Sequence, residues 1–300
     1  MKRFFILASA AIVALASCAK TEVRYDNAEP QEIAFKQITD VMTKASDLAT
    51  TVPLGVIAHY NTTGNLYFDN TSFAYEADPA AAWQADKYWP FEGNLDFTVY
   101  APYGAAEYVS NVLTIDNVTA ADGLYYGKQR YVNTSKIAKV PVVLKHASAK
   151  ITVKIKGSNL YTLTDLKLNG HNKTGNVKVT YGTSGNYDAT SVETESGATT
   201  ADYQFLSSGS QGLTADPVAV GTECYVLPGA QTSFTLIFTQ AAATPITFTK
   251  TINLSDNWVA NHQYLYTINI TADEIYLTAT VEAWEPETPT SIDKTNTDLV

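Results

Sequence analysis

Cysteine is almost absent: the 300-residue chain has two, Cys18 and Cys224. Cys18 falls at the end of a leading apolar segment, so Cys224 has no partner in the body of the chain and no disulfide framework can hold the fold. Cys224 sits in the apolar run ECYVL and reads as a small buried side chain. Histidine is scarce as well. The four (59, 146, 171 and 262) are scattered, with no H-E-x-x-H spacing and no cysteine beside them, so no zinc or other metal site is expected. Each is read as a structural hydrogen-bonding group, His146 at a strand corner included. Nor does any Gly-rich loop carry a lysine for phosphate, and no Asp-x-Asp-x-Asp run suits calcium. Ser208 to Gly212 (SGSQG) lacks the glycine two places before the serine that a nucleophile elbow needs. Paired carboxylates from distant strands stay open as a route to hydrolysis, but nothing positively supports an enzyme, and no cofactor is expected. A net charge of −10 without any basic stripe argues against a nucleic-acid partner. After the leader no segment sustains a 3.6-residue apolar period, which removes the case for a helical core.

What is present favours strands. The chain has 19 Tyr, 11 Phe and abundant Thr, with 45% hydrophobic residues, enough for real cores. Its length suits two domains of roughly 150 residues each. The stretch that organises the rest is Val140 to Gly157, VPVVLKHASAKITVKIKG, read as two strands meeting at a corner near His146–Ser148. In the second, Ile151, Val153 and Ile155 alternate with Lys150, Thr152, Lys154 and Lys156, the period of a strand with one buried and one wet face. Further alternating or apolar runs are Glu32–Ile38, Val52–Ala58, Leu95–Tyr100, Val109–Ile115, Val177–Tyr181, Ser233–Thr239, Ile246–Leu254, Tyr264–Ile270 and Ile275–Ala283. Residues 60–89 are read as short strands and loops, Asp116–Tyr126 as a loop with room for a helical turn, and Met42–Ala45 as loop or one helical turn. Leu160–Leu168 is expected to close on an Asn169-Gly170 turn. Many short strands at regular spacing give an all-β fold of sandwiches, with domains at 32–146 and 147–286 and a polar tail at 287–300.

The leader has its own chemistry. Lys2 and Arg3 precede an apolar stretch from Phe4 to Ala16, too short to span a bilayer of ~20 residues, and Leu15-Ala16-Ser17-Cys18 resembles a bacterial lipobox. On that reading residues 1–17 are a signal peptide and Cys18 carries lipid. The alternative is an ordinary secretory signal in which Cys18 is incidental. Residues 18–31 are polar and read as a flexible tether.

Several stretches together resemble the fimbrillin family, lipoprotein precursors of surface fimbriae. They are Tyr88-Trp89-Pro90 with Leu95-Asp96-Phe97 and Tyr100-Ala101-Pro102; Val142 to Ile151 (VVLKHASAKI); and Tyr264-x-Tyr266-x-Ile268 followed by Val281-Glu282-Ala283-Trp284. The resemblance implies two tandem transthyretin-like Greek-key β-sandwiches and an outer-membrane lipoprotein exposed at the cell surface. It also implies assembly by donor-strand exchange with other fimbrial subunits, alike or different. A protease removes the first strand, and a neighbour's strand fills the groove. The groove-filling residues would be Ile33, Phe35 and Ile38, at ~1.5–3 kcal/mol of burial each. Processing would fall between Lys44 and Ala45, with lysine where an arginine-specific protease wants arginine. The other reading of Lys44 is a solvated loop residue that is never cut. Ile275, Leu277, Ala279 and Val281 would form the donor strand, or simply the last strand of the second domain. The tail after Trp284 is a poor donor, which suits a tip or terminal subunit as well as a stalk. An alternative reading is a lipid-anchored glycan binder stacking host sugars on Tyr60, Tyr67, Tyr75, Trp83 and Trp89, against the plainer reading of those rings as core packing and strand formers; host glycans or proteins are further partners under either reading.

Overall fold

The computed structural model describes residues 31–37, 48–77, 81–121, 123–131, 139–182, 187–271 and 275–283. Among these there is no helix, and the fold is all-β. The first half holds β1 (Glu32–Gln37), β2 (Leu54–Tyr60), β3 (Leu66–Glu76), β4 (Ala82–Tyr88), β5 (Leu95–Ala101), β6 (Ala106–Val109), β7 (Val112–Thr119), β8 (Tyr125–Tyr131), β9 (Val140–Val142) and β10 (Lys145–His146). The second half opens with β11 (Ala149–Gly157) and β12 (Tyr161–Tyr181), then β13 (Ala189–Thr194), β14 (Thr199–Leu206), β15 (Gln211–Gly212) and β16 (Val218–Ala219). It ends with β17 (Cys224–Val226), β18 (Gly229–Ala230), β19 (Ser233–Gln240), β20 (Ile246–Asn253), β21 (Asn257–Trp258), β22 (His262–Ile270) and β23 (Ile275–Ala283).

In the first sandwich the strands follow the order β10-β8-β5-β2-β3-β4-β1-β9. The path folds over at β3, whose first part pairs with β2 and whose last residues, Ala74 to Glu76, pair with β4. The two layers enclose Ile33 and Phe35 from β1, Val56 and Ala58 from β2, Leu95, Phe97 and Val99 from β5, and Val140 and Val142 from β9. The second sandwich sets β11, β22 and β23 against β12, β19 and β20. Its core takes Ile151, Val153 and Ile155 from β11, as their alternation predicts, with Leu163, Leu166 and Leu168 from β12 and Phe234, Leu236 and Phe238 from β19. Strand β11 runs parallel to β22 from Lys150↔Gln263 to Gly157↔Ile270.

A third core lies between the two. Strand β12 is 21 residues long, and its far end, Thr174 to Thr180, pairs with β7 of the first half. There Val177, Val179 and Tyr181 pack with Leu113 and Ile115 of β7 on Ile57, Tyr100 and Tyr126, which lie on the outer face of the first sandwich. The corner at Ala147-Ser148 is buried at this junction. There the Ala147 N–H donates to the Leu124 carbonyl (2.8 Å), and the Asn261 N–H donates to the Ser148 carbonyl (3.0 Å).

Three sequence expectations change here. Asn169-Gly170 is no turn: the strand runs on through it. Gly170 takes a positive φ of 54° and the ladder to β14 slips between Leu168 and His171, the signature of a bulge. The Gly170 N–H donates to Asp202 Oδ1 (2.9 Å), and the Asn169 amide donates to Ser233 and Thr235 on β19. Those bonds tie the pair to the strands on either side of it. Ser110 and Asn111, both at positive φ (52° and 66°), make the two-residue loop of the β6–β7 hairpin instead of continuing one strand. Lastly, Asp116 to Thr119 belongs to β7 rather than to a loop.

Gly55 shows how closely the first sandwich and the junction meet. It faces Tyr100 across the β2–β5 ladder, and a Cβ there would lie 2.1 Å from the Tyr100 ring. That ring is pinned, its hydroxyl lying 2.6 Å from both Asn70 Oδ1 and the Gly104 carbonyl. Gly55→Ala is therefore expected to lower stability by about 1–3 kcal/mol, read as a lower urea midpoint with an unchanged slope.

Candidate functional site: the slot of the first strand

The segment EIAFKQ is short, but its residues leave it little choice. Ile33 and Phe35 point into the first core and are fully buried, Ala34 is buried on the opposite face, and Lys36 reaches solvent. Strand β1 pairs antiparallel with β4 through Phe35↔Trp83 and Ala34↔Gln84, and parallel with β9 through Phe35↔Val140 to Gln37↔Val142. It is thus an inserted strand with a ladder on each side. The Phe35 ring meets Phe73 and Phe97 edge-on, at 5.0 Å and 5.1 Å between centroids. Such pairs add to burial through favourable edge-to-face electrostatics.

Strand β9 ends the sheet, and among the described residues its only ladder is to β1. Pro141 fits that edge position because it has no N–H to offer a further strand. Removing β1 would therefore uncover Val140 and Val142 as well as leave the space held by Ile33 and Phe35. Trp83 and Trp89 border the same core, with Trp83 Nε1–H donating to the Val52 carbonyl (2.9 Å). Leu48 packs there too. Sequence reasoning did not assign Leu48, Val140 and Val142 to this slot, although V-P-V at 140–142 carried the signal of an edge strand.

One end of the slot is electrostatically strained. Burial, and then the nearby Asp86 and Glu76 carboxylates, raise the Glu32 pKa above the ordinary carboxylate value. A raised carboxyl pKa means that the folded state binds its proton more tightly than the unfolded state. The contribution is favourable at low pH and is lost as pH rises through the folded pKa. At neutral pH the ionised Glu32 carboxylate therefore works against this end of β1.

Strand β23 lies elsewhere. It forms a full antiparallel ladder with β22, from His262↔Ala283 to Ile270↔Ile275, and ends its sheet. Ile275 and Leu277 are buried in the second core, while Ala279 and Val281 are partly buried against it. The structure therefore does not bring the groove-filling residues and the candidate donor residues of one chain together: they serve different cores. Cys18, Ile38, Lys44 and Ala45 lie outside the described residues, as do the signal, the polar tail and Trp284.

Of the rings open to either reading, the two tryptophans fill the core. Trp83 and Trp89 are 5% and 6% exposed, and Tyr60, Tyr67 and Tyr75 pack against the first core. Cys224 is buried in the second core and its thiol is pushed up to about 12 by desolvation, so it serves packing, not chemistry. Among the described residues no group of three or more His, Cys, Asp or Glu is placed to hold a metal ion.

Packed cores and strand ladders, with one short strand inserted between two partners, define a β-sandwich protein. The family model described as Fimbrillin-like matches residues 36–284, and the chain belongs to that family. A fimbrial protein from Bacteroides vulgatus has the same fold, with a TM-score of 0.61 at 16% identity over 85% of this chain and 99% of that one. A candidate cell adhesion protein from Bacteroides ovatus gives 0.53 at 14% identity, over 86% and 99%. Another from Bacteroides uniformis gives 0.51 at 20%, over 84% and 98%. No curated protein matches the sequence significantly.

Two substitutions probe the slot. Phe35→Ala is expected to cost about 3–5 kcal/mol in urea unfolding, whereas Lys36→Ala, one residue on, should stay within about 0.5 kcal/mol. Glu32→Gln is expected to raise the melting temperature slightly at pH 7. That gain should vanish at pH 3, where Glu32 is itself protonated.

Proposed function

We propose that this chain is a structural subunit of a cell-surface fimbrium, exported as a lipoprotein on Cys18 and assembled by exchange of its first strand. The observation that carries the reading is the position of β1. It is a six-residue strand inserted between β4 and β9, with Ile33 and Phe35 fully buried. Burying those two side chains is worth roughly 3–6 kcal/mol gross, a large share of the stability of a typical domain. A subunit that lost the strand would keep an apolar slot between two unpaired edges. An extended segment from a second subunit satisfies both needs at once: main-chain bonds to β4 and β9, and side chains in the places of Ile33 and Phe35.

Lys44 is the proposed processing position, followed by Ala45. Strand β23 is the proposed donor, because it is a nine-residue edge strand with apolar residues at alternate positions. Its full ladder to β22 means that it must first leave its own sheet, or else act in a subunit whose donor role is not used. The second case describes a tip or terminal subunit. Partners are then other fimbrial subunits, with the outer membrane reached through the lipid.

Limited digestion with a lysine-specific protease, followed by unboiled denaturing electrophoresis, tests the reading. One early cut after Lys44 and heat-sensitive multimers are expected. A chain that resists cutting there and stays monomeric would overturn assembly by first-strand removal.

A further inference from the structure

The outer face of the first sandwich changes character along β2, β5 and β8. Where the junction core covers it, it carries Ile57, Tyr100 and Tyr126. Farther along, the cross-strand row His59↔Asp96↔Arg130 and the neighbouring pair Thr98↔Lys128 take over the same face. These residues line a cleft of about 600 Å³, with Tyr108 of the β6–β7 hairpin and Tyr187 also on its walls. The size falls in the range of small-ligand sites.

Lys128 is the centre of the cleft. Its ammonium donates to the Tyr108 hydroxyl at 2.5 Å, and that hydroxyl donates onward to Asn111 Oδ1 at 3.0 Å. The same ammonium lies 5.0, 5.3 and 5.6 Å from the ring centroids of Tyr108, Tyr181 and Tyr187. No ion pair to Lys128 exists among the described residues. Asp96, the nearby anion, is committed elsewhere: it accepts from Arg130 Nε (3.2 Å), Asn61 Nδ2 (2.8 Å) and the Tyr187 hydroxyl (3.3 Å). Burial lowers the Lys128 pKa, and the nearby Asp96 carboxylate only partly opposes it. Burial and then the Lys128 charge lower that of His59, leaving it neutral and able to both donate and accept. The cleft therefore holds two cations and one anion, in a chain whose net charge is −10.

We propose that this cleft binds a carboxylate-bearing sugar. The sugar carboxylate meets the two Lys128 N–H donors that Tyr108 does not use. The Tyr108 and Tyr187 rings flank the C–H surface of the pyranose, and His59 and Asn61 reach its hydroxyls. A peptide is the poorer fit, because the charged and hydrogen-bonding groups that face the cleft are side chains on the face of a sheet, not the main-chain groups of a strand edge. The site is independent of strand exchange, and its test uses unassembled protein, so its failure would leave the assembly reading untouched.

The test is isothermal titration of the protein with glucuronic acid and N-acetylneuraminic acid, with glucose and acetate as comparators. At least one acidic sugar is expected to bind, and Lys128→Gln is expected to weaken it about tenfold or more, the worth of one charge-assisted hydrogen bond. Tyr187→Ala, at the wall of the cleft, provides a second variant should Lys128→Gln fail to fold; it should also weaken binding. Equal affinity for glucose would overturn the role of the cation, and equal affinity for acetate would overturn the role of the sugar. No binding of either acid, or full binding by both variants, would overturn the site itself.

Discussion

The ladder along Tyr161–Tyr181 is the constraint on which the rest depends, because one strand supplies an inner layer of the second sandwich and the cover of the first. Its near end places Leu163, Leu166 and Leu168 in one core, and its far end places Val177, Val179 and Tyr181 in another. A strand that long is prone to twist away from flat neighbours. The bulge at Gly170 sits between its two duties, and the ladder partners change across it from β19 to β7. The buried corner at Ala147-Ser148 depends on this arrangement, since β12 and its neighbours keep water from that backbone.

The slot and the cleft both follow from how the first sandwich is covered. Its inner face is completed by β1, a strand near the start of the chain; its outer face is completed by β7 and β12, which arrive later. A β-sheet with both faces occupied is unusual for an antiparallel layer, and it explains why β5 is buried along almost its whole length. The outer cover is incomplete. Where it stops, the exposed sheet face carries charge and hydrogen-bonding groups, and the cleft is the result.

Much of the all-β fold was legible because alternation is a local property. Ile151, Val153 and Ile155 needed no knowledge of their partners to be placed inward, and the same holds for Ile33 and Phe35. What stayed hidden depended on distant pairing. Asn169-Gly170 has the composition of a turn, and only Asp202, Ser233 and Thr235 decide that it is a bulge. The tyrosines and tryptophans between 60 and 89 suit sugar stacking as well as core packing, and only the closed sheet commits Trp83 and Trp89 to the core. The cleft was invisible for the same reason: His59, Asp96 and Lys128 are far apart in sequence and share a face only through the β2–β5–β8 register. Lys128 in YYGKQRY gives no local sign that it is a half-buried cation.

The shared strand also has a mechanical meaning. A chain linked end to end with others is pulled, and the pull must pass from one half of the molecule to the other. If it runs along the axis of Tyr161–Tyr181, the hydrogen bonds between that strand and Val112–Thr119 lie side by side across the load and must yield together. A pair of domains joined by a linker alone would stretch at the linker first. Here the two halves extend as one piece, so tension is resisted by a ladder and a packed core, not by a hinge.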